Sequence, residues 1–220
     1  MKIKMQTNDQ YYRRNLPHYH PESFPLFITF RLVNSLPAEV LSELKQEREH
    51  ELMMLKTNST SERYNVEKKH FGRYDDWLDR CASGPRWLEE MNIANIVIEK
   101  IRSLDGERYQ LLTYCIMPNH AHLLIKSLIK EHLEHYGKTA KYPVTDTMRL
   151  LKGSTARYCN QALRRNGEFW QHESYDHYVR DEEELDRTIR YILNNPVKAG
   201  LVDDWKKWPF TYINPELGEW

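Results

Sequence analysis

Two histidines separated by one residue, His120-Ala121-His122, follow a Pro118-Asn119 turn and open the otherwise apolar stretch HAHLLIK. Along a β-strand successive side chains alternate between faces, so both imidazoles point one way and Ala121 and Leu123 the other. Two imidazoles on one strand face can share a cation while their apolar neighbours anchor the strand in a core, which makes half of a metal site. A solvated hairpin end explains one polar residue at such a place, and two on the same face less easily. With ten histidines in the chain, a chance pair is the competing explanation.

A second candidate lies much later. Over 183–195 a helical period of 100° per residue gathers Leu185, Ile189, Ile192 and Leu193 into a core face. Tyr191 falls roughly 145° from the centre of that face. Thr188 and Asn195 share its side, Asn195 one turn along the same stripe. The spacing therefore predicts that Tyr191 is presented outward. A phenol so placed can act as a nucleophile where a cation activates the electrophile and a base takes the proton. The Asn195 side-chain carbonyl suits a hard third ligand for Mg²⁺ or Mn²⁺ beside two imidazoles. The chain has 14 tyrosines, so an ordinary half-exposed tyrosine is the plain alternative.

The elements that must position these groups follow from pattern and punctuation. LFITFRLV (26–33) reads as a strand, 38–55 as a helix, 86–103 as a helix, 109–117 and 120–126 as a strand pair across the Pro-Asn turn. A helix is expected over 147–163, its apolar face formed by Met148, Leu151, Tyr158, Cys159 and Ala162. Asp181 and Glu184 make a capping-box-like start for a helix that Pro196 is expected to stop. TNSTSE (57–62) reads as an internal linker. This order implies one α+β domain over 1–220, an antiparallel sheet with helices on one face, preceded by a polar arm (1–25) and followed by an irregular tail (203–220).

Composition excludes some classes. Of the 220 residues, 40% are hydrophobic and 29% charged, and no run approaches the roughly 20 apolar residues of a membrane span. The N-terminus has no apolar signal-peptide core, and Cys81, Cys115 and Cys159 form no CxxC pair, so a reduced, cytoplasmic setting is expected. Net charge is zero, with 32 basic and 32 acidic residues, which counts against a protein that coats nucleic acid non-specifically. The charge is uneven, however: 181–186 (DEEELD) is acidic, whereas 149–165 carries five basic residues and no acidic one.

Pro-Asn-His120-Ala121-His122 resembles the histidine-hydrophobe-histidine signature of HUH endonucleases. FWQHESYDHYVR…YILNNPVKAGLV (169–202), RRNLPHYHP and LFITFRL are similar to blocks of the REP-associated tyrosine transposases, single-tyrosine members of that superfamily. The resemblance covers about 13–33 and 87–210, and 38–82 looks like a helical insertion. It implies a ferredoxin-like sandwich in which His120 and His122 bind Mg²⁺ or Mn²⁺, Tyr191 is the nucleophile and Asn195 the third ligand, where insertion-sequence relatives often carry Gln. It further implies cleavage of single-stranded, hairpin-forming DNA through a 5′-phosphotyrosine link, by a monomer or homodimer associated with the nucleoid when DNA-bound. Arg13, Arg14, Arg149, Lys152 and Arg157 are candidates for phosphate contacts, with solvated surface charge as the alternative. Trp170, Tyr175 and Tyr178 are candidates for base stacking, although burial suits Trp170 better. His172-Glu173-x-x-x-His177 has one residue too many for a zinc-peptidase helix, and His132 and His135 read as surface residues. The rival readings are a domesticated hairpin-DNA-binding regulator without cleavage, a metal hydrolase using water, and a structural or toxin-like protein whose motif is coincidental.

Overall fold

The β-branched and aromatic run Leu26–Arg31 becomes an inner strand of a five-stranded sheet, next to the central strand that carries the histidines. A computed structural model describes residues 10–13, 17–20, 24–55, 59–128 and 143–220. Strands β1 (Gln10–Arg13) and β2 (Pro17–His20) form an antiparallel pair within the stretch read as an arm. Strands β3 (Leu26–Arg31), β4 (Tyr109–Ile116), β5 (His120–Ser127), β6 (Tyr175–Tyr178) and β7 (Thr211–Ile213) run in the order β6-β3-β5-β4-β7, each neighbour antiparallel. The helices are α1 (Ala38–Met53), α2 (Thr60–Asp79), α3 (Met91–Ser103), α4 (Pro143–Ala162) and α5 (Glu182–Lys198). Taken as β3-α3-β4-β5-α4-β6, the chain traces βαββαβ, and the spatial order of those strands is the ferredoxin-like one.

Strand alternation divides the sheet into two faces. Ile28 and Phe30 of β3 and Ala121, Leu123 and Ile125 of β5 bury themselves against Ile93, Val97 and Ile101 of α3 and Met148, Leu151 and Cys159 of α4. The alternate residues Phe27 and Leu124, with Cys115 of β4, pack against Ile189, Ile192 and Leu193 of α5. The expectation of an α+β fold on an antiparallel sheet holds. The helices, expected on one face, divide between two: the crossover helices α3 and α4 share the first, and α5 lies on the second. The physical reason is that α5 carries its own apolar stripe, and the second face is where that stripe finds apolar partners.

Helices α1 and α2 pack together through Val40, Leu44, Tyr74 and Leu78. Their return to the sheet depends on Gly84, whose φ is 73° and where a Cβ would come within 2.1 Å of the Asn34 carbonyl oxygen. Three further expectations change. Pro196 lies within α5, which runs on to Lys198, since a proline so near the C-terminus removes only one ladder bond and the last turn closes through Ala199 N–H to Asn195 O at 2.9 Å. Within the tail over 203–220, expected to be irregular, Thr211–Ile213 pairs with Thr113–Cys115, because the β4 edge offers unpaired backbone groups. Tyr158, expected on the apolar face of α4, is 53% exposed. Cys81, Cys115 and Cys159 are buried free thiols. No helix among the described residues is long and apolar enough to cross a membrane.

Candidate active site

His120 and His122 share the second face of the sheet and are fully buried. Their Nε2 atoms stand 2.9 Å apart. The other ring nitrogen of each is engaged: His120 Nδ1 meets Asn119 Oδ1 at 2.7 Å and His122 Nδ1 meets Thr29 Oγ1 at 2.8 Å. The Thr29 hydroxyl in turn donates to Asp75 Oδ2 at 3.4 Å, so it accepts from His122. This network assigns the proton of each ring to Nδ1 and leaves two Nε2 lone pairs facing one point. Two lone pairs at that distance repel unless a proton or a cation lies between them.

A third group completes the cluster. Asp79, the last residue of α2, places Oδ1 3.4 Å from His120 Nε2 and 3.5 Å from His122 Nε2. The ligand atoms of Asp79, His120 and His122 all lie within 4.8 Å of one another. Burial pushes the Asp79 carboxyl up, but the two imidazoles beside it outweigh burial and hold the group well below the usual carboxylate range. Burial and the neighbouring His120 push the His122 imidazole down to about 4. A carboxylate and two neutral imidazoles form a donor set that suits a divalent cation. Asn195, also fully buried, brings Nδ2 to 3.0 Å from His122 Nε2 and leaves Oδ1 without a partner. A half-turn of the amide would exchange the two atoms and offer Oδ1 to the same point.

Tyr191 reaches this cluster from α5. Its ring lies 5.5 Å from the His122 ring and 5.9 Å from Phe27. The hydroxyl donates to Asp79 Oδ2 at 2.9 Å and to Asp75 Oδ2 at 3.3 Å. Tyr191 is half-buried rather than presented to solvent, because α2 covers the side of α5 that periodicity left outward. Burial, then the charges of Asp75 and Asp79, push the phenol far above its ordinary range. Burial and the Asp79 charge likewise push Asp75 well up. Lys198 clamps this end of α2, its ammonium 2.5 Å from Asp76 and 3.1 Å from Asp79.

The structure thus brings His120, His122, Tyr191 and Asn195 together within one chain. It adds Asp75 and Asp79, which sequence reasoning missed. The available signal was the spacing of the two aspartates, four apart on one helix face and the second opening the way back to the sheet. The basic candidates are placed elsewhere. Lys152 and Arg149 belong to α4, across the sheet. The Lys152 ammonium is engaged with the carbonyls of Gln171 and His172 at 2.7 and 2.8 Å, which makes it a brace for that loop. Arg149 pairs with Asp146 at 3.2 Å, and Arg157 is exposed with its guanidinium 5.9 Å from the Tyr158 ring. Trp170 is buried, its indole N–H donating to Thr155 at 2.8 Å, and the Tyr175 ring packs tilted against Tyr74 with centroids 4.2 Å apart. The side chains of Arg13 and Arg14, and His132 and His135, lie outside the described residues.

Residues 89–195 match the family described as "Transposase IS200 like". That span holds both histidines, Tyr191 and Asn195, and excludes Asp75 and Asp79. A Haemophilus influenzae protein described as a REP-associated tyrosine transposase is 31% identical over 110 residues, which are 50% of this chain and 61% of that protein. The match therefore spans about three fifths of the relative's length. A solved REP-associated tyrosine transposase bound to a REP hairpin is similar with 18% identity and a TM-score of 0.47, over 91% of this chain and 80% of that one.

Proposed function

From the premise that this chain carries an IS200-like transposase domain and is a homologue of a REP-associated tyrosine transposase, we propose a metal-dependent endonuclease and strand transferase acting on single-stranded, hairpin-forming DNA. The observation that carries this reading is the convergence, in one chain, of a tyrosine hydroxyl, two imidazoles and a carboxylate. His120, His122 and Asp79, with Asn195 after its amide turns, would hold Mg²⁺ or Mn²⁺. Bound there, the ion supplies Lewis-acid polarisation of a phosphate oxygen.

The remaining chemistry belongs to the chain itself. Asp79 and Asp75 accept from the Tyr191 hydroxyl, so carboxylate oxygens are in place for the proton that the phenol must lose. The phenolate oxygen forms a bond to phosphorus, the bond from phosphorus to the 3′ oxygen breaks, and that oxygen leaves as a 3′-OH with a proton. The resulting 5′-phosphotyrosine conserves the bond energy, so attack by a 3′-OH reverses the step and joins strands without a nucleotide cofactor. Arg13, Arg14, Arg149 and Arg157 remain candidates for phosphate contacts.

Incubating the protein with a labelled hairpin oligonucleotide and Mn²⁺ tests this. Wild type traps label covalently on a denaturing gel, and Tyr191→Phe does not; an adduct in the Phe variant overturns the assignment. The complete burial of His120, His122 and Asn195 favours a second reading, a hairpin-binding regulator without turnover. It requires that wild type bind the hairpin and form no adduct in any divalent metal.

A further inference from the structure

A cleft of about 270 Å³ opens between α2 and α5 beside the Tyr191 ring, outside the ligand cluster. Four rings, Phe27, Phe71, His177 and Tyr191, line it among charged and small residues: Phe71 and His177 meet edge-on at 5.2 Å, and Phe27 and Phe71 at 5.5 Å. Two polar atoms of cleft-lining residues, Asp75 Oδ1 and His177 Nδ1, are buried and have no hydrogen-bond partner. Buried polar groups are normally satisfied, so such a pair in an aromatic cleft marks a place where a ligand completes the bonding. Gly72 lines the same cleft from the middle of α2, and a Cβ built there meets nothing within 4 Å. Glycine inside a helix is destabilising relative to alanine. Here it keeps the cleft open where any larger side chain would narrow it.

We propose that this cleft receives one unpaired nucleobase, that of a nucleotide adjoining the phosphate attacked by Tyr191, and that it favours bases with an exocyclic amino group. The inference rests on the single-stranded DNA reading above and deepens it. The volume falls below the roughly 300–1,000 Å³ of drug-sized ligand sites, which suits a single base. Aromatic walls serve a base because every base has a π-face to stack. As a carboxylate oxygen, the orphan Asp75 Oδ1 matches the amino hydrogens of cytosine, adenine or guanine, which thymine lacks, and such a donor would favour the ionised carboxyl that burial disfavours. The exposed Lys68 and Arg187 also line the cleft, paired to Glu184 and to Glu183 (the latter at 2.5 Å), where they can follow a strand leading inward. A duplexed base cannot enter, so the cleft selects unpaired DNA.

The test uses the full chain carrying Tyr191→Phe, which keeps the ring but cannot trap DNA, and fluorescence anisotropy with labelled hairpin oligonucleotides. Unpaired positions are replaced one at a time by an abasic residue. One position next to the cleavage junction is expected to weaken binding by about 5- to 150-fold, the stacking contribution of a base, and thymine there binds more weakly than cytosine. Adding Gly72→Leu, which fills the cleft from an exposed helix position, weakens binding of the intact oligonucleotide similarly and abolishes the penalty at the abasic position. Gly72→Ala gives a smaller loss, and a thermal melt verifies that each variant is folded. An abasic scan without a sensitive position, or one unchanged by Gly72→Leu, overturns the base cleft while leaving DNA binding intact. Absence of binding to every oligonucleotide overturns the DNA reading itself.

Discussion

The two faces of the sheet are built by the same three central strands and do opposite things. Ala121 and Leu123 point into a cluster of apolar side chains from α3 and α4, joined by the aromatic rings of Phe169 and Trp170. His120 and His122, one residue away in each direction, point at two carboxylates, an amide and a phenol carried by α2 and α5. The first face buries mostly apolar surface, and polar groups in it such as the Trp170 indole and the Tyr109 hydroxyl are bonded, so burial there supplies stability. The second face buries two carboxylates, two imidazoles and an amide, which is costly unless each is bonded. It retains unsatisfied atoms at Asp75 Oδ1, Asp79 Oδ1 and Asn195 Oδ1. Unsatisfied polar atoms gathered beside Tyr191, the nucleophile proposed above, cost stability on this face that the apolar packing of the opposite face offsets.

This contrast can be broken from either side. The largest expected effect is functional: replacing both imidazoles in His120→Ala/His122→Ala lowers covalent adduct formation on hairpin DNA by about 10³-fold or more. Calorimetry is expected to show that the same variant melts no lower than wild type, because it also removes the facing Nε2 lone pairs. Leu123→Ala, on the other face, is expected to cost about 2–5 kcal/mol in urea denaturation, with adduct yield per folded molecule unchanged. If the histidine variant unfolds and the leucine variant loses chemistry while folded, the division between faces is wrong.

Smaller effects sharpen the comparison within the second face. Mn²⁺ is expected to raise the melting temperature of wild type, and EDTA to reverse the rise. Asp79→Asn weakens that metal affinity by about 10- to 100-fold, read by isothermal titration; a loss for Asn195→Ala as large as for Asp79→Asn would make the amide an equal ligand. The smallest effect concerns His177, whose imidazole burial pushes down to about 4. The folded state then resists a proton that the unfolded chain accepts near pH 6.5. The associated stability is complete above that pH and is lost as pH falls from about 6.5 towards 4, by up to about 1.4 kcal/mol per pH unit. His177→Gln is expected to flatten that part of the pH–stability curve.

Local pattern was sufficient for much of this protein. Alternation along 120–126 settles that the two histidines share a face, whatever packs against them, because the period of a strand is a property of its backbone. Periodicity likewise gathers Ile189, Ile192 and Leu193 on one side of α5 and separates Tyr191 from them. The Asp181 cap, whose side chain accepts from Glu184 N–H at 2.7 Å, was equally readable, since a cap involves only neighbours in sequence. What required the tertiary structure was the partner of each outward-facing group. Tyr191 was expected to face solvent and instead meets Asp79, 112 residues earlier in the chain. No local rule says which element will cover an open helix face, nor that the end of α2 will deliver a carboxylate to the histidines. Those contacts depend on where whole elements dock, through Gly84 against Asn34 and Lys198 against Asp76 and Asp79. Docking is decided by the summed burial of surfaces far apart in sequence, which is why the half of the site lying on one strand was legible and the half supplied by α2 was not.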